Sequence, residues 1–114
     1  MATIMYPDGT SQQVQPLNGR VFKLAQLNDI VGSDVEIVNT RDGRIMVINE
    51  EGKLLGLPRN EQATAIAGLP TPEERIERMR QAEALGFKVF IFGDPTVPDY
   101  IAGTVLICER REIE

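Results

Sequence analysis

Apolar and polar residues alternate in the first half of the chain in a way that predicts strands, broken once by helical spacing. Thr3 to Tyr6 is β-prone, and Pro7-Asp8-Gly9-Thr10 reads as a turn, with Pro fixing φ and Gly supplying positive φ. Gln12 to Gln15 returns as a second strand, polar enough for a sheet edge with only Val14 facing inward. Leu24, Leu27, Ile30 and Val31 then fall at helical spacing, predicting a helix over Val21 to Val31 that stops at Gly32. Asp34 to Asn39 and Arg44 to Asn49 flank Arg41-Asp42-Gly43, a strong hairpin signal, and the second strand carries apolar residues on both faces.

The second half is punctuated differently. Asn49-Glu50-Glu51-Gly52-Lys53 forms a tight turn, Leu54-Leu55 a short strand or bridge, and Gly56-Leu57-Pro58 breaks regular structure. Asn60 caps a short helix that runs through Ala67 and ends at Gly68. Thr71-Pro72-Glu73-Glu74 combines a Thr N-cap, Pro at the first helical position and Glu at the third, which is a capping box. Ile76, Met79, Ala82 and Leu85 give that helix an apolar stripe, and Gly86 ends it. Phe87 to Phe92 is mostly apolar between glycines and predicts a buried strand, followed by a proline-stiffened loop through Pro98. Tyr100 to Cys108 supplies the last strand, with Gly103 a bulge or a point of close approach. The charged tail, 109–114, is expected to fray.

These elements predict an α+β fold: a mostly antiparallel sheet of about five to six strands with two to three helices packed on it. With 114 residues the chain fits a single domain. An apolar fraction of 42% and a charged fraction of 25% place it among folded chains.

Composition narrows the chemistry. There is no His, which removes the commonest general base and metal ligand and any Ser-His or Cys-His triad within the chain. The single Cys, Cys108, allows neither an intrachain disulfide nor a Cys-based zinc site, and suits a thiol-reducing compartment such as the cytoplasm. A net charge of −5 opposes direct nucleic-acid binding, which needs a basic face. No run of apolar residues is long enough to span a membrane, and the start of the chain lacks the basic flank of a signal peptide.

Several blocks occur together in one order: Val31-Gly32, Val35-Glu36-Ile37-Val38, Asn49-Glu50-Glu51-Gly52-Lys53-Leu54, Gly56-Leu57-Pro58-Arg59-Asn60 and Tyr100-Ile101-Ala102-Gly103-Thr104-Val105-Leu106. Together with Tyr6-Pro7-Asp8-Gly9-Thr10 and the helix at Leu24 to Val31, they resemble the family catalogued as domain of unknown function 3846 over nearly the whole chain. The most specific part is Asn49 to Asn60. The resemblance implies a small protein of a bacteriophage, plasmid or bacterium, working in the cytoplasm of a bacterial or infected cell, and it brings no activity. The helix-strand segment 71–98 looks longer than the matching connection in the family and reads as an elaboration.

The block with the most candidate chemistry is the same one. Asn49, Gly52, Lys53, Gly56, Arg59 and Asn60 combine donors, acceptors and backbone freedom, a composition suited to an anion or nucleotide. Two tight turns plus an N-cap, with both asparagines holding backbone groups, explain the same residues. Glu50-Glu51 with Asp42 offer oxygen ligands, but their spacing matches no metal loop, so neither metal nor cofactor is expected. Asp94 and Asp99 could pair for acid–base work, although a stiff loop explains them as well. Cys108, in an apolar strand, reads as a small buried hydrophobe.

Three functions remain. The first is a non-catalytic binding module for a small anionic ligand such as a nucleotide, of the kind that could sequester a host defence signal. The second is an acidic inhibitor that docks on a host protein through exposed acids and the Thr71–Leu85 helix, without a small ligand. The third is an enzyme using Asp94, Asp99 or Glu50. A small domain with a strand apolar on both faces also invites self-association, and a homodimer built on the sheet or on the Thr71–Leu85 helix is expected.

Overall fold

Three adjacent strands carry most of the buried apolar residues, as a computed structural model describing residues 2–87 and 98–113 shows. The strands are β1 (Ala2–Met5), β2 (Ser11–Val14), β3 (Val35–Asn39), β4 (Ile45–Asn49) and β5 (Val105–Cys108). They form a five-stranded sheet in the order β2-β1-β5-β4-β3, and every neighbouring pair is antiparallel. With the helices α1 (Leu24–Val31), α2 (Glu61–Ala67) and α3 (Pro72–Ala84), this is an α+β fold. The chain divides into two compact units, residues 1–68 with 100–114, and residues 69–99.

The first unit holds the sheet. Cross-strand partners share a face, so Ile4, Leu106 and Val47 line up in register, with Ile45 opposite Cys108. These side chains join Ala2, Phe22, Leu27 and Val31 in one buried cluster beneath α1. Met46, Val105 and Ile107 alternate to the opposite face and are also buried. A central strand buried on both faces needs apolar residues at every position, which accounts for the Val-Leu-Ile-Cys run of β5. The edge strands obey the opposite rule. β2 exposes three of its four residues and turns only Val14 toward the core.

Several boundaries differ from the sequence expectation, each for a local reason. α1 begins at Leu24 instead of Val21, because Phe22 pairs with Ile113 and donates its N–H to the Glu112 carbonyl at 2.7 Å. Leu24 consequently falls outside the apolar face and is 62% exposed. The same pairing orders the charged tail. Residues 110–112 form a 3-10 turn closed by reciprocal Glu109 and Glu112 hydrogen bonds, where fraying was expected. The last strand starts at Val105, not Tyr100, since Gly103 adopts φ 86° and residues 101–103 pair with the chain at Pro58 to Asn60. Leu54-Leu55 is neither strand nor bridge. Leu55 N–H donates to the Glu51 carbonyl and Gly56 N–H to the Lys53 carbonyl, closing a turn that leaves Leu54 89% exposed.

The second unit contains α3. Its capping box is present in both directions: the Thr71 hydroxyl accepts from Glu74 N–H, and the Glu74 carboxylate accepts from Thr71 N–H. None of its residues is buried. The strand expected at Phe87 to Phe92 and the stiff loop after it lie outside the described residues, apart from Phe87 and Pro98, which are exposed. No helix among the described residues is long and apolar enough to cross a membrane.

Candidate functional site

The Asn49–Asn60 block folds into a loop stitched onto residues 101–103, and its six candidate residues separate into two groups. Asn49 and Asn60 are structural. Asn49 is 5% exposed; its amide donates to the Val31 carbonyl, and its Oδ1 accepts from the Ser33 hydroxyl and Glu51 N–H. It therefore ties the C-terminus of α1 to the loop after β4, satisfying a helix carbonyl that has no partner within the helix. Asn60 is 1% exposed. Its Oδ1 accepts from Ala63 N–H as the α2 N-cap, while Nδ2 donates to the Met5 and Gly103 carbonyls at 3.1 and 3.0 Å. Both amides are spent within the fold, on backbone groups and, at Asn49, on the Ser33 hydroxyl as well.

The glycines serve the fold as well. Gly52 is where the loop closes on its neighbour: a Cβ there would stand 2.9 Å from the Ala102 carbonyl oxygen. Gly56 takes φ 68° to turn the chain back toward Leu57, whose N–H donates to the Gly52 carbonyl. The close approach that Gly52 permits is to the protein's own backbone, and Gly56 is set by its turn alone.

Lys53 and Arg59 form the second group. Asn60 N–H donates to the Ile101 carbonyl and Gly103 N–H to the Pro58 carbonyl. These bonds carry Tyr100 alongside the loop. Lys53 Nζ lies 4.9 Å from the centroid of the Tyr100 ring and Arg59 Cζ 5.1 Å from the same point. Both distances are within the range of cation–π attraction. Arg59 Nε also meets Glu61 Oε1 at 2.7 Å. Two cationic heads thus gather at one half-buried aromatic ring, with a carboxylate at the edge. Such a constellation sets two cationic heads and a carboxylate beside one aromatic face.

Sequence reasoning missed Tyr100 and Glu61. Tyr100 is far from the block along the chain and opens the run that reads as the last strand; its only signal is that this run accompanies the block in the family pattern. Glu61 was masked by its place in the first turn of α2, where an acid is ordinary.

The remaining candidates are elsewhere. Asp42 is taken up by its own hairpin, accepting from the Thr40 hydroxyl and from Arg44, and the Arg44 and Thr40 hydrogen bonds hold its carboxyl well below the usual range. Glu50 and Glu51 are exposed. Among the described residues no group of three or more Cys, Asp and Glu is placed to hold a metal ion. Asp94 lies outside the described residues, and Asp99 is half-buried. Cys108 is 1% exposed, and burial, with Glu112 next in weight, pushes its thiol up to about 11. It packs as a hydrophobe and is poorly suited to nucleophilic work.

One protein family has a model that matches residues 1–114, the whole chain, and it is described as Domain of unknown function (DUF3846). No curated protein and no solved structure gives a significant match.

Proposed function

The chain belongs to the family of domains of unknown function 3846, and from that premise we propose that it is a small non-catalytic binding protein that captures an anionic ligand such as a nucleotide. The observation that carries the reading is the approach of Lys53 and Arg59 to one Tyr100 ring. The binding residues are Lys53, Arg59 and Tyr100, with Asn49, Gly52, Gly56 and Asn60 building the loop that presents them. In the setting expected for the family, a phage- or plasmid-borne protein in the bacterial cytoplasm, such capture would remove a signal from a host defence pathway. The absence of His and the buried, high-pKa thiol of Cys108 support binding over catalysis.

The test is a thermal-shift scan against mono-, di- and cyclic nucleotides, with the Lys53→Ala/Arg59→Ala variant alongside. A ligand at about 100 times its Kd adds roughly 2.7 kcal/mol. That raises Tm by several degrees, on the order of 4–8 °C per kcal/mol in a domain near this size. The shift is expected in the wild type and absent in the variant. No shift with any nucleotide would sink the reading.

A second reading, an acidic inhibitor that docks on a host protein through the Thr71–Leu85 segment without a small ligand, is supported by the absence of buried residues on α3 and by Leu85 at 76% exposure. It expects partner capture that survives Lys53→Ala/Arg59→Ala and fails on Leu85→Glu.

A further inference from the structure

We infer that Glu61 is a built-in competitor at the Lys53–Arg59–Tyr100 site, and that the ligand is consequently phosphate-bearing; this rests on the ligand-capture reading above. Glu61 Oε1 lies 2.7 Å from Arg59 Nε, with side-chain exposures of 74% and 46%. The guanidinium that faces the Tyr100 ring therefore already holds a carboxylate. A ligand carboxylate that reaches Arg59 exchanges one monoanion for another and gains no charge there. A phosphate monoester carries about −1.5 to −2 charge and three acceptor oxygens. It outbids Glu61 at Arg59, where the planar fork matches phosphate geometry. It also keeps oxygens for Lys53, whose ammonium is 4.9 Å from the same ring centroid.

Releasing Glu61 disturbs little. The pair is solvent-exposed, and such pairs are weak and screened. Glu61 is the first residue of α2, but the helix is capped by Asn60, whose Oδ1 accepts from Ala63 N–H independently of Glu61. The carboxylate can swing away with the cap intact. Glu61 thus sets the affinity threshold of the site without building it.

The experiment is isothermal titration with inorganic pyrophosphate and, separately, succinate at fixed ionic strength. The proteins are wild type, Glu61→Gln, Arg59→Ala, Arg59→Ala/Glu61→Gln and Lys53→Ala/Arg59→Ala, with Tm in anion-free buffer recorded for each to establish folding. Pyrophosphate is expected to bind the wild type more tightly than succinate. Glu61→Gln should tighten pyrophosphate by about two- to five-fold, the strength of one exposed ion pair. That gain should vanish when Arg59 is already Ala. The inference is overturned if Glu61→Gln leaves affinity unchanged or weaker, if the gain persists without Arg59, or if succinate binds as tightly as pyrophosphate. Binding lost in Lys53→Ala/Arg59→Ala but indifferent to Glu61→Gln would remove the competitor and leave ligand capture standing. No binding to wild type or Glu61→Gln would remove both.

Discussion

Two helices of this protein start on similar cap chemistry and use it differently. Thr71 caps α3 at the surface: its hydroxyl accepts from Glu74 N–H at 3.1 Å, Glu74 answers in the reverse direction, and every bond closes within four residues. Asn60 caps α2 with the same kind of acceptor, but its amide continues to the Met5 and Gly103 carbonyls, at the end of β1 and ahead of β5. One cap starts a helix. The other starts a helix and joins three distant stretches of chain. A local motif predicts a cap equally well in both cases, and burial decides what it is worth, because removing a buried partner leaves polar groups without water to replace it.

Asn60 substitutions should have the largest effect and sharpen this comparison most. Asn60→Ala orphans Ala63 N–H and two carbonyls, and is expected to cost about 3–5 kcal/mol in urea unfolding. Asn60→Asp keeps the capping oxygen, and Asp caps helices as well as Asn does. A purely local cap would therefore tolerate Asp, whereas the stitching role predicts a loss at least as large as with Ala, since a carboxylate would face two carbonyls. Wild-type stability in Asn60→Asp would break the comparison.

Thr71→Ala comes next, at about 1 kcal/mol in the same measurement, the ordinary value of an exposed cap. A loss matching Asn60→Ala would show that burial does not separate the two.

The smallest effect belongs to a third local motif, the Asp42 hairpin. Its carboxyl titrates below its ordinary value of 3.8 because the Arg44 and Thr40 hydrogen bonds favour the ionised form. Asp42 therefore stabilises the fold above that pH, and the contribution fades as the pH falls below it. Asp42→Asn should lower Tm slightly at neutral pH and flatten the decline on acidification. An unchanged acid profile would show the exposed network contributes nothing measurable.

Much of the fold was legible because its signals are local. The Arg41-Asp42-Gly43 turn, the Asn60 and Thr71 caps and the Gly32 and Gly68 stops are all where residue chemistry places them. Boundaries failed where a remote segment intervened, as when Glu112 took the Phe22 N–H and cut short the start of α1. The candidate block was found by its composition, but composition could not rank its members. Asn49 and Asn60 are as polar as Lys53 and Arg59, yet they are buried and satisfied by backbone, while the two cations stand exposed beside a ring from another segment.

By itself, then, the sequence determined the α+β class, most of the elements up to α3 and the loop that merits attention, because turn, cap and alternation preferences act over a few residues. Only the tertiary structure decided which residues of that loop face outward and that Tyr100 joins them. Those facts depend on the pairing of Pro58–Asn60 with Ile101–Gly103, a long-range contact that depends on the folded sheet and that no local preference encodes.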